Sequence, residues 1–497
     1  MRRPRLRWAL LLVAACALLV AVPGDAEAQL NPCAPSAPAP RRPDTGMPGW
    51  FATTPAKPPA SAGPATAPDD LFASYGTAGL WWPSWDLGCS GSAEGLVTDM
   101  ANVPMDWMSA TLNGTASVRQ IAWAGDWLRP LDESVAALTD RLGNFFGIAM
   151  GLALTAVGVW MLFRARTAEY GEITTAGAWA VLMIALAALA LSYPAWAGRT
   201  WDDTVVGSAK LVNDTLAGEA DARAGADPAV GQINGDVAYR VWLRGMFGSD
   251  TTRTAEAFGP RFYAAMAFAW SELPTLDRGG PEAEAMTEAH RQAFVDAARD
   301  LEAADPSAYR TMQGKGAFSS RVPTGLLGWV LVGCLCFMAG VAAALVLVAR
   351  LVGRGLVMAL PIVIPFGTLY RWSGPVRKLG GMAQAVVVAL ITATVAGGLM
   401  TRAVGALLGT SWPLWLVGLV SLVATYAAWK ALKPIGTVAG LVGLGGAARL
   451  PRHAMGAVLA AAGVRAGAKA GVEAGEEPAM ASARRASRAE EYSAAPP

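Results

Sequence analysis

Histidine is nearly missing from this 497-residue sequence, which contains only His290 and His453. Catalytic triads built on histidine and histidine-rich metal centres therefore have little basis here. The nucleophile motif GxSxG, the zinc motif HExxH and a Walker lysine motif are also absent from the sequence. We therefore predict no enzymatic activity, no cofactor and no metal.

Charge is also scarce, because only 16% of the residues are charged while 54% are hydrophobic. An average soluble domain has about 25% charged residues. The apolar run Gly325–Ala349 contains no charged residue. Its 25 residues would form about 38 Å of helix, which is enough to cross a bilayer. The sequence therefore predicts a membrane protein.

Four further apolar segments accompany this run, so that five membrane spans are predicted at residues 142–163, 171–197, 325–349, 381–401 and 412–429. None of them has Asp, Glu, Lys or Arg near its middle. Ion-coupled carriers usually need such groups at the membrane midplane, which argues against a secondary transporter. Threonines such as Thr392, Thr394 and Thr401 could line a polar path, but we expect them to bond to their own helix.

Residues 355–369 carry Pro361 and Pro365, each of which removes a backbone donor and predicts a break in the membrane segment. Arg350 and Arg354 precede this stretch, and Arg371, Arg377 and Lys378 follow it. If the stretch crosses the membrane, these basic clusters lie on opposite sides, against the positive-inside rule. If it dips in and returns, or lies in the interface, both are cytoplasmic. We expect the second arrangement.

The N-terminus has the features of a secretory signal peptide over residues 1–28, with four arginines, an apolar core and a small-residue cleavage site. A lipobox ending at Cys16 and an uncleaved anchor are the alternatives. The Pro- and Ala-rich residues 29–79 are predicted to be an extended extracytoplasmic linker. Cys33 and Cys89 are the two cysteines of the exported segment, so we predict a disulfide between them, or from either to another subunit.

The remaining boundaries follow from changes in composition. Residues 80–141 form a Trp-rich extracytoplasmic helical segment, which lies either on the membrane surface or a partner, or packs on itself as a cap. A transmembrane hairpin (142–197), an extracytoplasmic helical loop domain (198–324), a main transmembrane bundle (325–430) and a basic, partly disordered cytoplasmic tail (431–497) follow. The predicted fold class is all-α, a polytopic transmembrane helical bundle with a large extracytoplasmic helical insertion.

The insertion contains recognisable short motifs, namely YRVWLRGMFGSD at 239–250, AFGPR at 257–261, DPSAY at 305–309 and Gln313-Gly314. These resemble the TrbL-like polytopic membrane proteins of actinobacterial conjugative type IV secretion systems. The resemblance implies a channel or scaffold subunit for conjugal DNA or protein transfer, in the plasma membrane, with the N-terminus exported and the C-terminus cytoplasmic. The implied partners are other secretion subunits, membrane lipids, the transported DNA or protein and further copies of the chain. A stand-alone channel or transporter is the alternative.

No role in the secretion process can be assigned to single motif residues from the sequence. The candidates are Tyr239, Trp242, Arg244, Gly245, Phe247 and Gly248. Besides substrate contact, there is a simpler structural interpretation. It makes Trp242 and Phe247 core anchors, the two glycines turn residues, and Arg240 and Arg244 a solvated helix face.

Overall fold

The computed structural model describes residues 37–54, 68–87, 94–166, 170–217, 228–368, 373–410 and 412–436. Within these ranges the chain is helical and has no β-strand, apart from an isolated bridge between Arg41 and Ala267. The all-α fold class is confirmed for this part of the chain. Two compact units are present, residues 1–432 and 433–497, and the description of the second covers only residues 433–436, the end of the last helix.

Fifteen α-helices are described, with a 3₁₀ turn at Asp126–Leu128 and a π turn at Asn234–Ala238. In chain order they are α1 (Gly46–Gly49), α2 (Pro68–Tyr75), α3 (Glu94–Ala124), α4 (Arg129–Arg166), α5 (Tyr170–Ser192), α6 (Pro194–Ala217), α7 (Pro228–Ile233), α8 (Tyr239–Phe247), α9 (Arg253–Ala265), α10 (Leu273–Arg278), α11 (Pro281–Ala304), α12 (Pro306–Met312), α13 (Ala317–Gly367), α14 (Gly374–Leu408) and α15 (Leu414–Gly436).

Three of these helices are long and apolar enough to cross a membrane: Phe145–Arg166 within α4, Ser319–Gly367 within α13, and α14. Shorter apolar stretches lie at Ile173–Ala188 in α5 and Leu414–Lys430 in α15. The five apolar segments predicted from the sequence are therefore helical over most of their length, although Tyr193 separates α5 from α6 within 171–197 and α15 begins at Leu414, two residues after the start of 412–429. Their length and composition support a helical membrane protein.

The longest helix, α13, has 51 residues and continues through Pro361 and Pro365. The helix is therefore not broken at these prolines, while the predicted break in the membrane segment stays a prediction. The side chains beside the prolines explain the continuity, because Ile364 is buried against Met150 and Met183, with Leu360 packed on the same cluster. This packing stabilises a helical backbone that has lost two N–H donors. Residues 355–367 form the last turns of α13 and are not a separate element.

The segment predicted to be a linker contributes to the core. Leu71, Phe72 and Tyr75 are buried in α2 or at its end, within the main hydrophobic cluster. Arg41 exchanges two backbone hydrogen bonds with the chain at Met266 and Phe268, both of 2.9 Å. The linker prediction is therefore wrong for residues 37–54 and 68–79. The prediction rested on the high proline and alanine content of residues 29–79. It gave no weight to the few large apolar side chains that pack these segments against the helices.

Two helices accompany the apolar run of α13. Helix α3 runs parallel to it, with Thr98 bound to Arg321, Trp107 close to Trp329, and the Trp123 carbonyl bound to Arg350. Helix α6 runs in the opposite direction, since the Trp201 indole donates to the Ala349 carbonyl while Asn213 lies near Leu335. The apolar run is thus flanked by two helices that the sequence did not predict to be membrane spans.

Candidate functional site

The candidate site is the junction at which helices α7–α12, residues 228–312 and here called the helical domain, meet the start of α13 and the end of α14. The motif residues of the insertion lie on α8, whose Trp242 is fully buried and whose Tyr239 and Phe247 are nearly so. Gly248 ends the helix with a left-handed φ of 82°, a conformation that favours glycine. The interpretation of Trp242 and Phe247 as core anchors and of Gly248 as a turn residue is confirmed. Burial also raises the pKa of Tyr239, so its hydroxyl stays neutral.

A pair of tryptophans joins α8 to the segment before α3. The Trp82 indole donates to the Trp242 carbonyl at 2.9 Å, and the Trp242 indole donates to the Trp81 carbonyl at 2.8 Å. Gly245 lies inside α8 and not in a turn, which corrects that part of the interpretation. A Cβ atom at position 245 would overlap the Trp82 ring. Gly245 is therefore required by the close approach of an indole.

Arg321, in the first turns of α13, is fully buried and has no counterpart in the sequence-based predictions. Its five N–H groups all donate to neutral acceptors between 2.7 and 3.2 Å away. These acceptors are the carbonyls of Gly245, Pro83, Thr311 and Met312 and the hydroxyl of Thr98. A single guanidinium thus connects α8, α12, the segment before α3 and α3 itself to the start of α13.

Two further arginines connect α8 to the end of α14. Arg240 donates to the Gly405 carbonyl at 3.1 Å, and Arg244 donates to the Leu408 carbonyl at 2.5 Å and to Asp250 at 2.6 Å. Carbonyls in the last turn of a helix carry the negative end of the helix dipole and have few helical partners; that of Gly405 also accepts from the Gly409 amide at 3.2 Å. The predicted solvated face of Arg240 and Arg244 is therefore wrong, because both side chains cap a long apolar helix.

A buried group of ion pairs lies further along α13. The guanidinium of Arg354 binds Asp132 of α4 at 2.6 Å and Asp202 of α6 at 3.0 Å, and the Arg354 side chain is only 4% exposed. Arg350 lies 4.0 Å from Asp202 and donates to the Trp123 carbonyl at 3.0 Å. The sequence placed both arginines inside the cell and both aspartates outside it. Direct contact between them excludes that separation.

Between α3, α6, α7, α13 and α14 lies a small cavity of about 20 Å³, which is room for about one water molecule and is lined mostly by apolar residues. Five polar side chains line it: Arg119, Asn213, Gln232, Thr394 and Thr401. The two threonine hydroxyls, like that of Thr392, donate to carbonyls of α14 itself. The expectation that these threonines bond to their own helix is confirmed.

The cysteines divide into two groups. Cys33 and Cys89, the predicted disulfide, lie outside the described residues. Cys334 and Cys336 are buried and free in α13, as expected for packing residues. Across the described ranges, no cluster of three or more His, Cys, Asp or Glu residues could hold a metal ion.

Comparison with known proteins identifies no relative, since no family model, curated protein or solved structure matches the chain. The resemblance to TrbL-like proteins stays a prediction.

Sequence reasoning missed Arg321 because it stands next to an apolar run, where an arginine usually marks the end of a membrane span. It missed the contacts of Asp132 and Asp202 because they lie 222 and 152 residues from Arg354. The i,i+4 spacing of Arg350 and Arg354 was a signal for a shared helix face, but only their positive charge entered the prediction.

Proposed function

We propose that the chain is a multi-pass channel or scaffold subunit of a type IV secretion apparatus for conjugal DNA transfer, located in the plasma membrane. The observation that carries this proposal is the junction, where Arg321, Arg240 and Arg244 connect a folded helical domain to two long apolar helices. A domain held in this way is suited to transmit contacts with other subunits to helices in the membrane. The motif YRVWLRGMFGSD, which contributed to the resemblance, lies at this junction through Arg240, Arg244 and Gly245.

The proposed orientation keeps the helical domain and the N-terminus outside and the tail inside. Gly325–Ala349 then crosses the membrane and brings Arg350 and Arg354 to the inner side. Since Asp132 and Asp202 bind Arg354, these residues share that side. Helices α3 and α6 then carry the chain inward and outward beside α13, while α4 continues from Asp132 alongside the last turns of α13, where Met150 packs against Ile364.

Helix α6 supports a channel role within the complex, because it exposes Lys210 beside the apolar run of α13. Charged side chains at membrane depth usually face a water-filled space or another protein surface. This face of α6 is suited to line a passage shared with other subunits.

The test is conjugal transfer from a donor strain in which the gene is deleted. Transfer is expected to be lost in the deletion strain and restored by the wild-type chain. The double variant Arg240→Ala/Arg244→Ala is expected to reach the membrane in normal amount and to restore transfer poorly, because α14 loses its caps. Arg310→Ala, at an exposed arginine of the same domain, is the matched control. Undiminished transfer from the deletion strain would exclude the conjugation role.

The second candidate is a stand-alone membrane channel, and its supporting observation is that Arg119, Asn213 and Gln232, from three different helices, meet at one small cavity. Polar side chains from several helices can provide a path for small solutes. Purified chain in vesicles should then conduct without partners, whereas a secretion subunit should not.

A further inference from the structure

An apolar groove of about 320 Å³ lies on the surface between α3 and α13. Its walls come from α3 through Trp107, Ala110, Thr111, Gly114, Thr115 and Val118, from Gly340 of α13, and from Phe51 after α1. No atom lies within 4 Å of the position that a Cβ of Gly340 would take. The missing side chain of Gly340 therefore leaves the groove open.

The two threonines in the wall do not make the groove polar. The Thr111 hydroxyl donates to the Trp107 carbonyl at 2.7 Å, and the Thr115 hydroxyl donates to the Thr111 carbonyl at 2.8 Å. Each hydroxyl is satisfied by the backbone of α3. The groove therefore offers no free hydroxyl group for a hydrogen bond to an occupant. It favours an apolar occupant, which needs no hydrogen bond.

The aromatic rim of the groove is held in place by α3. Asn113 donates to the Pro48 carbonyl at 2.7 Å, and Ser117 donates to the Phe51 carbonyl at 2.5 Å. Phe51, which lines the groove, is nevertheless 51% exposed, and its chain neighbour Trp50, outside the groove lining, is 62% exposed. Large aromatic side chains fixed at a surface in this way need an apolar neighbour.

We propose that this groove binds an acyl chain of a membrane phospholipid. Gly340 lies in the middle of the apolar run Gly325–Ala349, so that the groove faces the bilayer interior. The exposed apolar side chains of Val118, Ile121 and Phe337, from the same two helices, belong to the same lipid-facing surface. The occupant is therefore the one abundant apolar molecule at this depth. The proposal requires only that the run crosses the membrane, and it is independent of a role in secretion.

The experiment uses the full chain, reconstituted in vesicles of phosphatidylethanolamine and phosphatidylglycerol with a trace of phosphatidylethanolamine bearing a photoreactive diazirine on one acyl chain. After irradiation, mass spectrometry locates lipid adducts on peptides of α3 and α13. Adducts on α15, which exposes Leu422 and Val423, report contact with bulk lipid and serve as the reference. Groove adducts are expected in excess over this reference.

Gly340→Leu should fill the groove and remove the excess adducts. Gly333→Leu is the matched control, because Gly333 also lies in α13 with no atom within 4 Å of its Cβ position. It should label like the wild type, and both variants should elute like the wild type on gel filtration. Equal groove labelling in wild type and Gly340→Leu would overturn the proposal. The proposal would also be overturned if a free fatty acid bearing the diazirine labelled the groove and the phospholipid did not. The acyl chain in the groove would then come from a fatty acid and not from a phospholipid.

Discussion

Arg321 holds a full positive charge among carbonyl oxygens, and its removal should be severe. Arg321→Ala leaves the carbonyls of Gly245, Pro83 and Met312 without this donor in a buried site. Each orphaned buried group costs about 1–3 kcal/mol, so we expect a loss of at least about 3 kcal/mol in the free energy of unfolding. Thermal unfolding of the detergent-solubilised chain measures this loss.

Two further variants serve as controls for Arg321→Ala. Arg321→Lys supplies three donors in place of five and should fall between wild type and Arg321→Ala. Arg310→Ala, at an exposed position, should change the unfolding free energy by less than about 0.5 kcal/mol. If Arg321→Ala were as stable as Arg310→Ala, the junction described here would not hold the domain.

Asp305, at the start of α12, makes the stability of the domain depend on pH. Hydrogen bonds from the Ser307 hydroxyl, the Ala308 amide and the Thr254 hydroxyl lower the pKa of its carboxyl. The folded pKa thus lies below the unfolded value of about 3.9. This contribution is fully present above the unfolded pKa and is lost as pH falls through the folded pKa.

The comparison is between wild type and Asp305→Asn, which keeps the helix cap but cannot titrate. Unfolding by denaturant, followed by tryptophan fluorescence, should show a constant difference from pH 7 to pH 5. The difference should shrink below about pH 4. A difference that does not vary with pH would remove Asp305 from the acid response.

At the residue scale, the sequence predicted which side chains are buried better than which are bonded. The burial of Trp242 and Phe247 was predictable because large aromatic side chains in a folded domain are usually buried in its core. The hydrogen bond of Arg244 was not predictable, because its acceptor, the Leu408 carbonyl, lies 164 residues away and is a backbone group that every residue has. No sequence pattern distinguishes that carbonyl from others.

Among the elements, the contact of α13 with α4 and α6 depends on the ion pairs of Arg354. Asp202→Asn removes a carboxylate whose side chain is 14% exposed and leaves two buried arginines with less compensation. Breaking a buried pair costs about 3–5 kcal/mol, and we expect the lower end of that range here. The neighbouring Asp203→Asn is the control, because Asp203 is exposed and should have little effect on thermal unfolding. If Asp202→Asn and Asp203→Asn changed thermal unfolding equally, the ion pairs of Arg354 would not stabilise the contact of α13 with α4 and α6.

The elements themselves were largely predictable, because apolar runs of about 20 residues become helices in a membrane protein. Their ends were not. Pro361 and Pro365 argued for a break, and packing of Ile364 against α4 and α5 opposed it. Helix α3 was predicted as part of the helical segment 80–141, but its packing against α13 was not predicted. The polar residues of α3 made the apolar face that packs on α13 difficult to recognise in the sequence.

For the whole molecule, the proposed orientation is tested by cysteine labelling in a variant without native cysteines. Asp203→Cys should react with a membrane-impermeant maleimide only after cells are permeabilised, because Asp202 shares the inner side with Arg354. Glu282→Cys, in the helical domain, should react in intact cells. Labelling of Asp203→Cys from outside would place the ion pairs on the outer side and refute the orientation.

The contacts of Arg321 also bear on the order of synthesis. Its acceptors at residues 83, 98, 245, 311 and 312 all leave the ribosome before Arg321 does. A growing chain therefore carries every acceptor of this guanidinium before the guanidinium itself is made. The bonds of Arg321 can form as soon as the start of α13 emerges, whereas the bonds of Arg240 and Arg244 must wait for Gly405 and Leu408 at the end of α14. The junction is therefore completed in two stages, first at α13 and then at α14.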